Sequence, residues 1–122
     1  GDKVVGQILP DAAHADPQQR ARTASWHAAI QLHQRLKRLC ALPSRDEKTE
    51  REMNACIAVY RDYFDENGKW KRKLLTADDV PFFETFTRKA HDALQNPSAV
   101  VIGEIRSVPH FNSEPTDPSA AE

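Results

Sequence analysis

The chain has 122 residues, one domain's worth, and a net charge of −1, so bulk charge argues for no particular partner. Apolar residues make up 39% and charged residues 29%. That is leaner than the ~45–50% apolar content, Gly included, of a typical globular domain, so part of the chain is expected to lie outside the core. No apolar run approaches the ~20 residues that cross a bilayer, and nothing near the start reads as a secretory signal. Gly1 in place of Met is what an excised piece of a longer protein would carry.

In chain order, residues 3–9 read as a short extended arm of Val4, Val5, Ile8 and Leu9, stopped by Pro10. A linker follows to Asp16. Asp16 then suits a helix N-cap, and Pro17 suits the first helical position, where a missing N–H costs nothing. Ala21, Ala28, Leu32, Leu36 and Leu39 recur at helical spacing, widened by Trp26 and Ile30. Arg20, His27, Gln31, Gln34 and Arg38 take the opposite face, and Pro43 ends the helix. Ser44 and Glu47 form a candidate capping box for a second helix running to about Glu66. Its apolar line is Met53, Ile57, Tyr60 and Phe64, with Cys56 and Tyr63 beside it, and Asn67-Gly68 is the stop.

So short a connection predicts an antiparallel helical hairpin. Folded near Pro43, it sets Cys40 opposite about position 46 and Cys56 opposite about position 30. Ten residues of helix separate two such points by about 15 Å, too far for a disulfide. Two reduced thiols point to a cytoplasmic protein.

Beyond the hairpin, Asp78 or Asp79 is expected to cap a third helix with Pro81 in its first turn. Phe83, Phe86, Ala90, Ala93 and Leu94 form its buried stripe, with Phe82 flanking, and Asn96-Pro97 ends it. Residues 98–106 read as a strand, and Val101-Ile102-Gly103-Glu104-Ile105 echoes Val4-Val5-Gly6-Gln7-Ile8. The two segments are candidates for a two-stranded ribbon, laid on the bundle or joined to a partner's sheet. From Pro109 onward the composition is that of a disordered tail.

The expectation is therefore a mainly α fold. An extended arm and linker over 1–15 precede a helical domain over 16–106, and a disordered tail covers 107–122. The domain is a three-helix bundle with Trp26, Ile30, Leu32, Leu36, Leu39, Met53, Ile57, Tyr60, Phe64, Phe83, Phe86, Ala90 and Leu94 in its core.

No motif for catalysis emerges. The five histidines are not paired at i, i+4 on a shared face, and no Cys-x-x-Cys occurs. A calcium loop aligned on Gly68 would put Tyr63 and Leu74 where its strongest carboxylates belong. Nucleophile elbows and phosphate-binding glycine loops are missing. No cofactor, no metal and no enzymatic activity are expected.

What remains is segregated charge. Between Pro17 and Ser44 lie five basic residues and no acid, and four more cations fall within residues 69–73. Arg20, Arg35, Lys37, Arg38, Lys69, Lys71, Arg72 and Lys73 are candidates to contact phosphates or an acidic partner, with the Trp70 ring available to stack on a base. Trp70 reads equally well as a lid on the core. The leading functional expectation is a helical interaction module that docks on a protein partner, within a larger assembly. The alternative is a nucleic-acid-associated accessory protein. The two separate on whether the basic residues share one surface.

Overall fold

The computed structural model describes residues 16–104, 108 and 114–120. The expected arm over residues 3–9, and with it the ribbon pairing, lies outside them.

Among the described residues are three α-helices: α1 (Pro17–Ala41), α2 (Glu47–Tyr63) and α3 (Val80–Gln95). Asp16 caps α1 as its type and place predict, accepting the Gln19 N–H at 2.7 Å. The expected stripe of Ala21, Ala28, Leu32, Leu36 and Leu39 is buried, and so are Ser25, Ala29 and His33. Ser25 satisfies its hydroxyl by donating to the Ala21 carbonyl one turn back, at 2.6 Å. Trp26 and Ile30 are only half-buried, at the edge of that face.

The second cap is Asp46 rather than Ser44. Asp46 accepts the Thr49 N–H at 2.8 Å. The reason lies one residue earlier. The Arg45 guanidinium reaches back to the Leu39 carbonyl at 3.0 Å, closing the end of α1 and carrying the chain past Ser44 before the helix begins. The hairpin is antiparallel, and an Arg35–Glu52 ion pair ties its two helices together. Cys40 meets Met53 rather than position 46, with the two sulfurs 3.8 Å apart. Helical side chains lean toward the N-terminus of their own helix, so Met53 leans toward the hairpin turn, where Cys40 sits.

α2 ends at Tyr63, three residues short of the expected end at Glu66. Phe64 turns extended and its ring stays in the core. The Asp65 carboxylate then accepts the N–H groups of Asn67 and Lys69. Gly68 takes φ 82°, a value costly for any residue with a Cβ. This loop reverses the chain and pairs Phe64 with Trp70 in an antiparallel bridge.

α3 is entered through a short 3₁₀ turn, Ala77–Asp79, which Thr76 caps; Asp79 stands at the N-cap position of α3 as expected, but its side chain makes no cap hydrogen bond to that helix. The Asp79 carboxylate faces backward, accepting the Leu75 and Thr76 N–H groups at 2.9 Å each. Glu84 and Thr87 of α3 border the same cleft as Arg20 and Ala24 of α1. Further along, Cys56 Sγ on α2 lies 3.9 Å from the Ala93 carbonyl. α3 therefore runs back beside α1 in the same direction, completing the three-helix bundle.

The core joins all three helices and the loop after α2. Phe64, Trp70, Phe83 and Phe86 pack ring on ring, with the Phe64 and Trp70 centroids 4.3 Å apart. Leu74, Val59, Ala55 and Val80 join them as buried residues the helical stripes alone did not mark. Leu94 lies at the rim.

Two sequence expectations change beyond α3. The segment read as a strand begins as a 3₁₀ turn, Pro97–Ala99, and residues 101–104 are irregular, with no strand pairing among the described residues. Within the stretch expected to be a disordered tail, residues 115–118 hydrogen-bond to the bundle.

Candidate interaction surfaces

The candidate basic residues do not form one surface. Arg35, Lys37 and Arg38 lie near the C-terminal end of α1. Residues 69–73 lie beyond the end of α2, which the antiparallel hairpin places beside the start of α1. From Arg20 to Arg35 is about 22 Å along the helix. Arg35 is engaged by Glu52. Arg72 lies 3.7 Å from Asp79 and 5.6 Å over the Phe82 ring. Arg20 borders the cleft beside Glu84 and Thr87. Lys37, Arg38, Lys69 and Lys71 are exposed, and Lys73 is half-buried. Trp70 is 5% exposed, its ring packed against those of Phe64, Phe83 and Phe86. It cannot stack on a base without leaving the core, so its role as a stacking platform is corrected to that of a core residue.

The chain's other tryptophan, together with Arg22 and Leu74, builds a groove that spacing along the sequence does not reveal. It runs between α1 and the segment after Trp70, and residues 115–118 lie in it. The Trp26 indole N–H donates to the Pro115 carbonyl at 3.3 Å, and the Trp70 indole N–H to the Thr116 carbonyl at 2.9 Å. Arg22 grips Asp117 with both Nε and Nη2, at 3.0 and 2.6 Å, while its guanidinium sits 5.5 Å over the Trp26 ring. The Leu74 N–H donates to the Pro118 carbonyl at 2.8 Å. Pro115 and Pro118 are buried and Thr116 is exposed. The Arg22 guanidinium, by hydrogen bonding first, holds the Asp117 carboxyl well below the ordinary carboxylate range. Open clefts continue the groove at both ends, about 370 Å³ beside Trp26 and Ile30 and about 550 Å³ beside Gln18 and Ala77.

A second surface is the segment after α3. Val100 and Ile102 pack against the core, whereas Val101 is 91% exposed and Gly103 faces outward. This in–out alternation is that of a strand. Yet the N–H groups of residues 101–103 make no backbone hydrogen bond to a described residue. A Cβ built on Gly103 would meet no atom within 4 Å. A cleft of about 340 Å³ lies beside residues 99–101 and is lined by Ala58, Asp62, Arg88, Asp92 and Val101.

Both thiols are free. Burial pushes the Cys56 thiol up to about 12 and raises that of Cys40, which disfavours the reactive thiolate. Among the described residues no group of three or more His, Cys, Asp or Glu side chains is placed to hold a metal ion. No described helix is long and apolar enough to cross a membrane. Compared with known proteins, the chain matches no family model, no curated protein and no solved structure.

Proposed function

We propose that the chain is a non-enzymatic helical interaction module, acting in the cytoplasm, that docks on a protein partner by adding residues 100–104 to the edge of the partner's sheet. The observation that carries this reading is the exposed, strand-like segment. Its core-facing residues are fixed by the bundle, and its outward Val101 and backbone N–H groups at 101–103 are left without a described partner. Strand addition uses such a pre-extended edge, with backbone hydrogen bonds for affinity and alternate side chains for selection. The cytoplasmic placement rests on the two free thiols. The nucleic-acid alternative is the weaker reading, because it needs an exposed Trp70 and basic residues on one surface.

The test places a photoreactive amino acid at Val101 in the full chain and, as a control, at Lys37, and cross-links in an extract of the source cell. The reading expects one defined adduct from position 101 only, lost in a Gly103→Pro background that removes a backbone donor without touching a helix. An adduct to residues 3–9 of the same chain, an adduct indifferent to Gly103→Pro, or no adduct would overturn it.

A further inference from the structure

We propose that the groove formed by Arg22, Trp26, Trp70 and Leu74 is a second docking site, one that recognises a Pro-x-Asp-Pro segment of a partner protein that turns at its second proline, as residues 117–120 do. Residues 115–118 are its ligand in cis. The proposal stands whether or not residues 101–103 join a sheet.

Every polar contact in the groove is made to the main chain of the docked segment or to its one carboxylate. Two indole N–H groups meet consecutive carbonyls, a guanidinium holds Asp117 through two nitrogens, and a backbone N–H takes the next carbonyl. Two buried prolines three residues apart fill the floor, while Thr116 between them points out. These are the parts of a peptide site: main-chain hydrogen bonds for grip, spaced side-chain pockets for selection, and a two-nitrogen arginine–carboxylate clamp that fixes register. Proline also lowers the entropy lost on docking, because its backbone is already restricted.

Nothing in that set depends on the occupant's being the same chain. Any segment with two prolines flanking x-Asp and a turn after the aspartate, here closed by Ser119 and Ala120 onto Asp117, would meet the same donors. The receptor side is built from a long helix and a core tryptophan, and is therefore rigid. The occupant belongs to the same chain, and such covalent tethering gives the cis segment an effective concentration on the order of millimolar. The tail accordingly acts as a built-in competitor, admitting only a partner segment that binds well or is present at high local concentration.

The test uses the chain's own fluorescence, because its two tryptophans both line the groove. In the full chain, Asp117→Ala/Pro118→Ala weakens the cis segment and is expected to red-shift the emission while far-UV circular dichroism stays helical. A synthetic peptide of residues 113–120 should reverse the shift saturably. It should bind this variant at least tenfold more tightly than it binds the unaltered chain. The same peptide with Ala for its aspartate, or a variant that also carries Arg22→Ala, should not respond. If the double variant loses its helices, anisotropy of the labelled peptide with the unaltered and Arg22→Ala chains decides: binding to the first alone supports the site. No red shift, equal binding of both peptides, or a dimer whose emission shifts on dilution, showing the groove filled by a second copy, would overturn it.

Discussion

Trp70 shows how one residue's role depends on contacts the sequence keeps hidden. Set among Lys69, Lys71, Arg72 and Lys73, it carries the same local signal whether it stacks on a base or closes a core. The decision is made by Gly68 and Asp65, which turn the chain so that the indole meets Phe64 rather than solvent. The cysteines are a mixed case: both thiols are free as expected, but the spacing argument misplaced them, because Cys40 packs on Met53, one turn from Cys56, rather than opposite position 46. With its thiol pushed up to about 12 by burial, Cys56 is expected to resist a thiol reagent at pH 8 until the chain unfolds, while half-buried Cys40 reacts slowly. Mass spectrometry of the labelled native protein checks this. Rapid labelling of Cys56 would mean that the α2–α3 contact is open.

At the level of the elements, the helices were legible because their stripes are long and their breakers strong: Pro17, Pro43, Pro81 and Pro97 sit at or near the ends they were expected to mark. The caps were less so. Ser44 and Asp46 are both good cap residues two positions apart, and only the Arg45 contact to the Leu39 carbonyl selects between them. Asp46→Ala should therefore lower the thermal midpoint, and Ser44→Ala should leave it unchanged, in matched melting curves; the reverse order would restore the capping box at Ser44. Leu32 is fully buried in the α1 face, so Leu32→Ala should cost about 2–5 kcal/mol in a denaturant titration. A cost well under that range would place it outside the core. Residues 98–104 could not be read correctly from their pattern, because in–out alternation predicts a strand but does not supply the partner that makes one.

Across the whole molecule, the groove for residues 115–118 was illegible. It joins Arg22 to Asp117 across most of the chain, and a Pro- and Ser-rich composition reads as disorder when the receiving surface is unknown. Its signal, in hindsight, was two tryptophans carrying indole N–H groups that a core must satisfy. The molecule's pH behaviour follows from groups on both sides of neutrality. Asp46, Asp79 and Asp117 are held below their ordinary values by hydrogen bonds, so their contribution is present above about pH 4 and is lost as pH falls through their folded values. Tyr60 and Cys56 are held up to about 12 by burial, so the stability they require is full at neutral pH and lost as pH rises beyond roughly 9. The thermal midpoint should fall below about pH 4 and again above about pH 9; a midpoint at about pH 3 or pH 10 equal to that at about pH 7 would contradict the assignment.

The central claim is of a closed helical core that holds one segment of its own chain and offers another. Residue-resolved amide hydrogen exchange on the isolated chain tests it most directly. The Leu74 amide, donating to the Pro118 carbonyl, and the Lys71 amide, donating to the Tyr63 carbonyl, should be protected, while the amides of residues 101–103 exchange at nearly the rate of an open chain. An unprotected Leu74 beside protected residues 101–103 would contradict the account, releasing the segment said to be bound and pairing the edge said to be open.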